Sequence, residues 1–298
     1  MYKKAFSLVE LSIVILIIGL LISGITKGSQ LYQKMIHKIT ERVTKESPVN
    51  IISGLEAWYE TSRAESFADS VADGSLVSAW NDTKPSIFGK EHSANKAANS
   101  NNRRPIYIEN AFKNSIAGLK FDGSDNCLVD DDLAINSEIT IFTVMRRESY
   151  IMQKQSIAIA PADANSAYSG IIVFWEPINN PNIMLSWRDG AYFGMTHPGT
   201  DVDFIATAIY RNNNTAAMYI NGKTNNNKSS FNTNFLSNIT RITMGCRATG
   251  SGTTTSFSYG YDGYIGEVIV YNRALKNSER EQVENYLSQK FNIDLNET

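Results

Sequence analysis

Ile265-Gly266-Glu267-Val268-Ile269-Val270-Tyr271-Asn272-Arg273-Ala274-Leu275, followed by Ser278-Glu279-Arg280-Glu281 and a helical run to about Phe291, decides how this 298-residue chain folds. Ile265–Tyr271 is rich in β-branched and aromatic residues and reads as a strand. Ser278 with Glu281 three residues on is a capping box, which predicts a helix start there. Val283, Tyr286, Leu287 and Lys290/Phe291 form that helix's apolar face. A strand leading into one closing helix places this helix against the edge of a β-sandwich.

Working outward, similar short β-type runs recur. They are Pro105–Glu109, Gly118–Phe121, Ile139–Arg146, Ser156–Ala160, Gly170–Trp175, Ile183–Trp187, Phe204–Tyr210, Ala216–Ile220 and Arg241–Cys246. Clusters of Asn, Gly, Asp and Ser separate them, so an antiparallel sandwich or barrel is expected. Almost no helical stretch lies between the runs, which argues against βαβ crossovers. Asn221-Gly222 supplies the positive-φ residues of a tight hairpin, and Asn212-Asn213-Asn214 supplies another. The Asn- and Ser-rich stretches 92–104 and 223–238 read as long polar loops.

The N-terminal half-hundred residues have a different texture. Mean hydropathy over the whole chain is −0.24, yet Phe6–Ile25 holds only Ser7, Glu10, Ser12 and Ser23 as clearly polar residues. Twenty helical residues at ~1.5 Å each span ~30 Å, the hydrocarbon thickness of a bilayer. Lys3 and Lys4 place the N-terminus on the cytoplasmic side. A plain anchor leaves Glu10 unexplained, because a carboxylate at the bilayer centre costs roughly 2.5–3.5 kcal/mol. Residues 26–46 continue in helical pattern, with Tyr32, Ile36, Ile39 and Val43 on one face, until Ser47-Pro48 ends the helix. The net charge of −2 lacks the basic footprint of a nucleic-acid binder, and two cysteines exclude a multi-cysteine zinc framework. His37, His92 and His197 show no metal-ligand spacing.

Ala5-Phe6-Ser7-Leu8-Val9-Glu10 ahead of the apolar run resembles the N-terminal motif of type IV prepilins and type II secretion pseudopilins. The resemblance implies a leader, residues 1–5, cut by a prepilin peptidase between Ala5 and Phe6, with N-methylation of the new Phe6 terminus. Ala5 stands where that family usually has Gly. The helix, residues 6–47, would cross the inner membrane once through residues 6–25 and then assemble with other pilin or pseudopilin subunits. Glu10 would meet the Phe6 amine of a neighbouring subunit, two desolvated charges offsetting each other. The implied locations are the bacterial inner membrane before assembly, and the periplasm or a cell-surface pilus after it.

Residues 48–298 resemble laminin-G-like, concanavalin A-like jelly rolls. The likeness is carried by Ile52-Ser53-Gly54-Leu55-Glu56-Ala57-Trp58-Tyr59, Val77–Asp82, Leu119-Lys120-Phe121-Asp122-Gly123, Tyr219–Lys223 and the Ile265–Leu275 block. The fold expected is thus mainly β: a transmembrane pilin-like α-helix, then an antiparallel sandwich with a C-terminal helix.

Within that frame, Trp187, Asp189 and Tyr192 are candidates for binding a glycan or surface protein, since sugars favour aromatic faces beside polar groups. The acidic stretch containing Asp122, Asp125 and Asp130 offers oxygen ligands for Ca²⁺, although its spacing fits no EF-hand and suits solvated turns as well. No other cofactor is indicated. Cys127 and Cys246 are both expected outside the membrane and are a candidate disulfide. Glycanases of this superfamily carry Glu-x-Asp-x-(x)-Glu on one strand. No such run occurs, and Glu267 stands alone on its strand. A binding and assembly protein without chemistry of its own is therefore expected. The alternatives are a membrane-tethered glycan-active enzyme and a secretion pseudopilin with no adhesive role.

Overall fold

The computed structural model describes residues 8–67, 71–84, 93–96, 103–149, 154–160, 171–176, 183–188, 191–196, 198–228, 230–231, 236, 238–249 and 256–295. The first element, α1 (Leu8–Lys45), is a 38-residue helix, about 57 Å long at 1.5 Å per residue. Pro48 then opens a single 3₁₀ turn that leads into the sandwich.

Strands are numbered in chain order. The first sheet holds β1 (Leu55–Tyr59), β4 (Ile106–Phe112), β5 (Ile116–Asp122), β7 (Ile139–Arg147), β12 (Phe204–Arg211), β13 (Thr215–Ile220), β14 (Lys223–Lys228) and β18 (Asp262–Tyr271). The second holds β2 (Ala79–Asn81), β3 (Ser93–Lys96), β6 (Leu128–Asp130), β8 (Lys154–Ala160), β9 (Ile171–Glu176), β10 (Ile183–Arg188), β11 (Ala191–Thr196) and β15 (Arg241–Met244). A small hairpin, β16 (Arg247–Thr249) with β17 (Ser256–Ser258), stands apart. Every pairing among the described strands is antiparallel.

All ten expected strands are present, within a few residues of their predicted ends. Two expected loops are corrected in part. β3, Ser-Ala-Asn-Lys, lies inside 92–104, and β14, Lys-Thr-Asn-Asn-Asn-Lys, lies inside 223–238. Both are polar and gain their strand conformation from the ladders that β6 and β13 offer them, which local composition does not report. The Asn221-Gly222 hairpin has both residues at positive φ, 47° and 76°, as a two-residue turn requires.

The two sheets enclose one core, to which Leu119, Phe121, Ile141, Ile157, Ile159, Ile242, Ile265, Val268 and Val270 contribute. A second apolar layer covers the outer face of the first sheet, where Trp58, Phe142, Ile269 and Tyr271 meet Val283, Tyr286, Leu287 and Phe291 of α2 (Asn277–Phe291). The closing helix therefore packs on a sheet face, not on the sandwich edge. Its cap also differs from the expectation. Lys276 is the N-cap residue, and Glu279, not Glu281, reaches back to the Lys276 N–H at 2.9 Å, so Ser278 lies within the first turn.

β18 is the strand on which both layers depend. Its register against β7 slips between Ile265 and Glu267, a one-residue bulge at Gly266. A bulge resets the two-residue alternation. Ile265, Val268 and Val270 all face the inter-sheet core, while Ile269 and Tyr271 face α2. A side chain at Gly266 would stand 2.8 Å from both Phe112 and Phe291, so the glycine permits the helix to lie close.

The α1 face that meets the domain also departs from the expected stripe. Thr40 and Thr44 are buried, whereas Tyr32 and Ile39 are half exposed. The Thr40 hydroxyl bonds back to the Ile36 carbonyl at 2.9 Å, and Thr44 joins the polar network described below. Among the described residues no helix is long and apolar enough to cross a membrane, so the spanning role of 6–25 stays an expectation. Ala5 and Phe6 lie outside the described residues, as do the side-chain surroundings of Glu10.

Candidate functional site

The densest chemistry in the described chain is a buried polar network under α2. Glu60 follows β1, Glu267 sits beside the β18 bulge and Lys290 is in the last turn of α2; the side chains of all three are fully buried. Lys290 Nζ lies 2.8 Å from Glu267 Oε2 and 3.2 Å from Glu60 Oε2. Glu267 Oε1 accepts from Trp58 Nε1 at 2.6 Å and from the Tyr286 hydroxyl at 2.9 Å. Glu60 accepts from the backbone N–H of Ser62 at 2.7 Å and of Arg63 at 2.8 Å, from Ser66 Oγ at 2.8 Å, and from the Ser62 hydroxyl. Thr44 of α1 enters through Ser62 at 3.1 Å and Tyr286 at 3.4 Å.

The two carboxylates differ because their donors differ. Burial alone would raise the Glu60 carboxyl, but Lys290 and the Ser62 and Ser66 donors outweigh it and hold it below the usual carboxylate range. At Glu267 burial wins, with Lys290 opposing and the Glu60 charge adding, and the carboxyl is pushed up. Burial works against the Lys290 ammonium, yet Glu267 and Glu60 keep it above the ordinary lysine value. The sequence carries no signal for this site. Lys290 reads as part of an apolar face and Glu267 stands alone on its strand, because a cation 23 residues away and a carboxylate more than 200 away leave no spacing pattern.

Beside this network a cleft of about 700 Å³ opens between α1 and the first sheet. Leu31, Met35, Val71 and Ile116 supply apolar wall, Lys34, Lys38 and Glu109 supply charge, and Thr61 and Ser62 also line it.

The sequence-predicted residues fall elsewhere. Trp187 and Tyr192 are opposite each other in the β10–β11 hairpin, in which β11 is an edge of the second sheet; Asp189 lies outside the described residues. Asp122 is exposed and accepts from the Ser124 N–H at 2.9 Å. Asp125 faces Arg103 at 3.8 Å. Asp130 is buried and takes the Tyr59 hydroxyl and the Asp132 N–H, the latter at 2.9 Å. Among the described residues no group of three His, Cys, Asp or Glu side chains is placed to hold a metal ion. Cys127 and Cys246 are bonded, with Cα atoms 5.3 Å apart.

No protein-family model matches the chain, and no curated protein does. Solved structures do. A Trypanosoma rangeli sialidase mutant displaying trans-sialidase activity is 13% identical over 88% of this chain and 38% of its own, with a TM-score of 0.53. Botulinum neurotoxin type C, whose cell entry depends on interaction with two ganglioside molecules, is 12% identical over 81% of this chain and 53% of its own, TM-score 0.52. The binding domain of botulinum neurotoxin serotype C1 is 14% identical over 80% and 53%, TM-score 0.51. This chain thus spans between about a third and about half of those chains, and identities this low show the fold alone. The expectation of a chain without chemistry is corrected by this finding. Sialidases are enzymes, they share the fold, and the architecture therefore does not exclude catalysis.

Proposed function

We propose that the chain is a pilin-like subunit, a minor pilin or pseudopilin of a type IV pilus or type II secretion filament, which displays a laminin-G-like, concanavalin A-like jelly roll for binding glycan or surface protein. One observation carries this reading. Thr40 and Thr44, near the C-terminal end of α1, are buried against the sandwich, while Val14, Ile15, Leu16, Ile17, Ile18, Leu21, Ile22 and Ile25 all stand exposed toward its N-terminal end. Apolar surface on that scale calls for lipid or a protein partner, and a pilin-like helix takes lipid first and neighbouring subunits later. The Ala5-Phe6 junction and Glu10 supply the processing and assembly chemistry. The ganglioside dependence of botulinum neurotoxin type C supports glycan as the ligand class, with the Trp187–Tyr192 pair as its contact. Mass spectrometry of the mature N-terminus tests the reading. A start at methylated Phe6 is expected; an intact Met1, or cleavage beyond Ile22, overturns it.

A further inference from the structure

We propose that Lys290 and Glu267 condense into an intramolecular isopeptide bond, with Glu60 as the proton acceptor, so that α2 becomes covalently joined to β18. The three parts such a reaction needs are assembled in one water-excluded site. The nucleophile is Lys290 Nζ, 2.8 Å from the Glu267 carboxyl and fully buried. The electrophile is that carboxyl in its protonated form, the form burial favours. Its other oxygen, Oε1, is held by Trp58 Nε1 at 2.6 Å and the Tyr286 hydroxyl at 2.9 Å, two donors aimed where negative charge develops when an amine adds to the carbon. The base is Glu60, 3.2 Å from Nζ, kept ionised by its own four donors.

The step balances without an outside reagent. The Lys290 ammonium passes one proton to Glu60, against the resting preference of both groups, so the neutral amine is a transient species; once the amide has formed, the Lys290 charge that held Glu60 ionised is gone and burial keeps the proton there. The neutral amine attacks Cδ of protonated Glu267, and the Nζ–Cδ bond forms. The Cδ–Oε2 bond then breaks, and the hydroxyl leaves as water with a second proton from Nζ, relayed by Glu60. The products are a neutral amide, one water and protonated Glu60. Three ionisable groups held in low dielectric are thereby replaced by uncharged ones, which removes the desolvation penalty that a buried ion pair carries. Fixed geometry supplies the rate, since contact at hydrogen-bond distance substitutes for a high concentration of reactants.

The Glu267 assignment is distinct from a Glu60 one. Glu60 has its oxygens saturated by donors that stabilise the carboxylate, and a carboxylate resists attack by an amine. Intact-mass measurement of the denatured, reduced full chain tests the bond. Unlabelled wild type is expected to be lighter by one water than its sequence requires, after any leader cleavage and methylation are counted. Tryptic digestion is expected to yield a branched peptide joining residues 267 and 290, while Lys290→Arg shows neither feature. Full unmodified mass, with free peptides covering both positions, overturns the proposal, and so does a branch at Glu60. The wild-type mass decides the question even if the variant does not fold.

Discussion

Thr44 and Tyr286 are 242 residues apart in sequence, and their hydroxyl oxygens stand 3.4 Å apart in the fold. Through them the end of α1 meets the α2 layer that covers the first sheet. Tyr286 also donates to Glu267, so one hydroxyl links the long N-terminal helix to the buried charge network. The Thr44–Ser62 hydrogen bond and the packing of Val43 on the same apolar layer join α1 to the sandwich beside it.

The network is sensitive to unpaired charge. Neither Lys290→Met nor Lys290→Met/Glu267→Gln can form the proposed bond, so comparing the two reads charge alone. The single variant leaves Glu60 and Glu267 buried without their cation. It is expected to be less stable than the double variant by about 1–3 kcal/mol in urea unfolding, and equal stability would mean that the cost lies in packing and not in charge.

Acid sensitivity is expected at the start of α2. Arg273 donates to Glu279 with two nitrogens, at 2.7 and 2.9 Å, and these bonds, together with the Lys276 N–H, bring the Glu279 carboxyl down from 4.5 to about 2. The folded value lies below the unfolded one, so the stabilisation is complete above pH 4.5 and disappears as pH falls through about 2. Wild type should therefore exceed Glu279→Gln in Tm at neutral pH and converge with it near pH 2. A constant gap across that range would exclude the linkage.

The Cys127–Cys246 bond closes a separation of 119 residues. In the chain-entropy account, a loop of that length is worth about 4–5 kcal/mol. Reduction, or the double variant Cys127→Ser/Cys246→Ser, should lower the urea midpoint without altering the circular dichroism of the folded state. An unchanged midpoint would show that the strand pairing around the bond is sufficient without it.

Glycan binding is expected to depend on the β10–β11 hairpin. Trp187→Ala and Tyr192→Ala should each weaken retention on a glycan array about tenfold or more, on the order of 1.4 kcal/mol. Reductions in binding that track a fall in Tm would instead assign the two rings to structure.

Each of the ten β-type runs expected from sequence overlaps an observed strand, because β-branched and aromatic residues between Asn, Gly and Asp turns report local conformation directly. The apolar pattern of α1 and the Asn221-Gly222 hairpin were legible for the same reason. β3 and β14 were not, since a polar segment becomes a strand only when a neighbouring ladder is available. Nor was the bulge at Gly266, which a linear alternation cannot register.

A long helix, an antiparallel β body and a closing amphipathic helix are all legible along the chain, because each follows from the preferences of residues near one another. That the closing helix lies on a sheet face, that Lys290 sits between Glu60 and Glu267, and that Thr44 reaches Tyr286 emerge with the folded arrangement. Burial and charge pairing depend on which distant segments meet. A lysine that reads as the end of an apolar stripe becomes the centre of the network only when two remote carboxylates are folded against it.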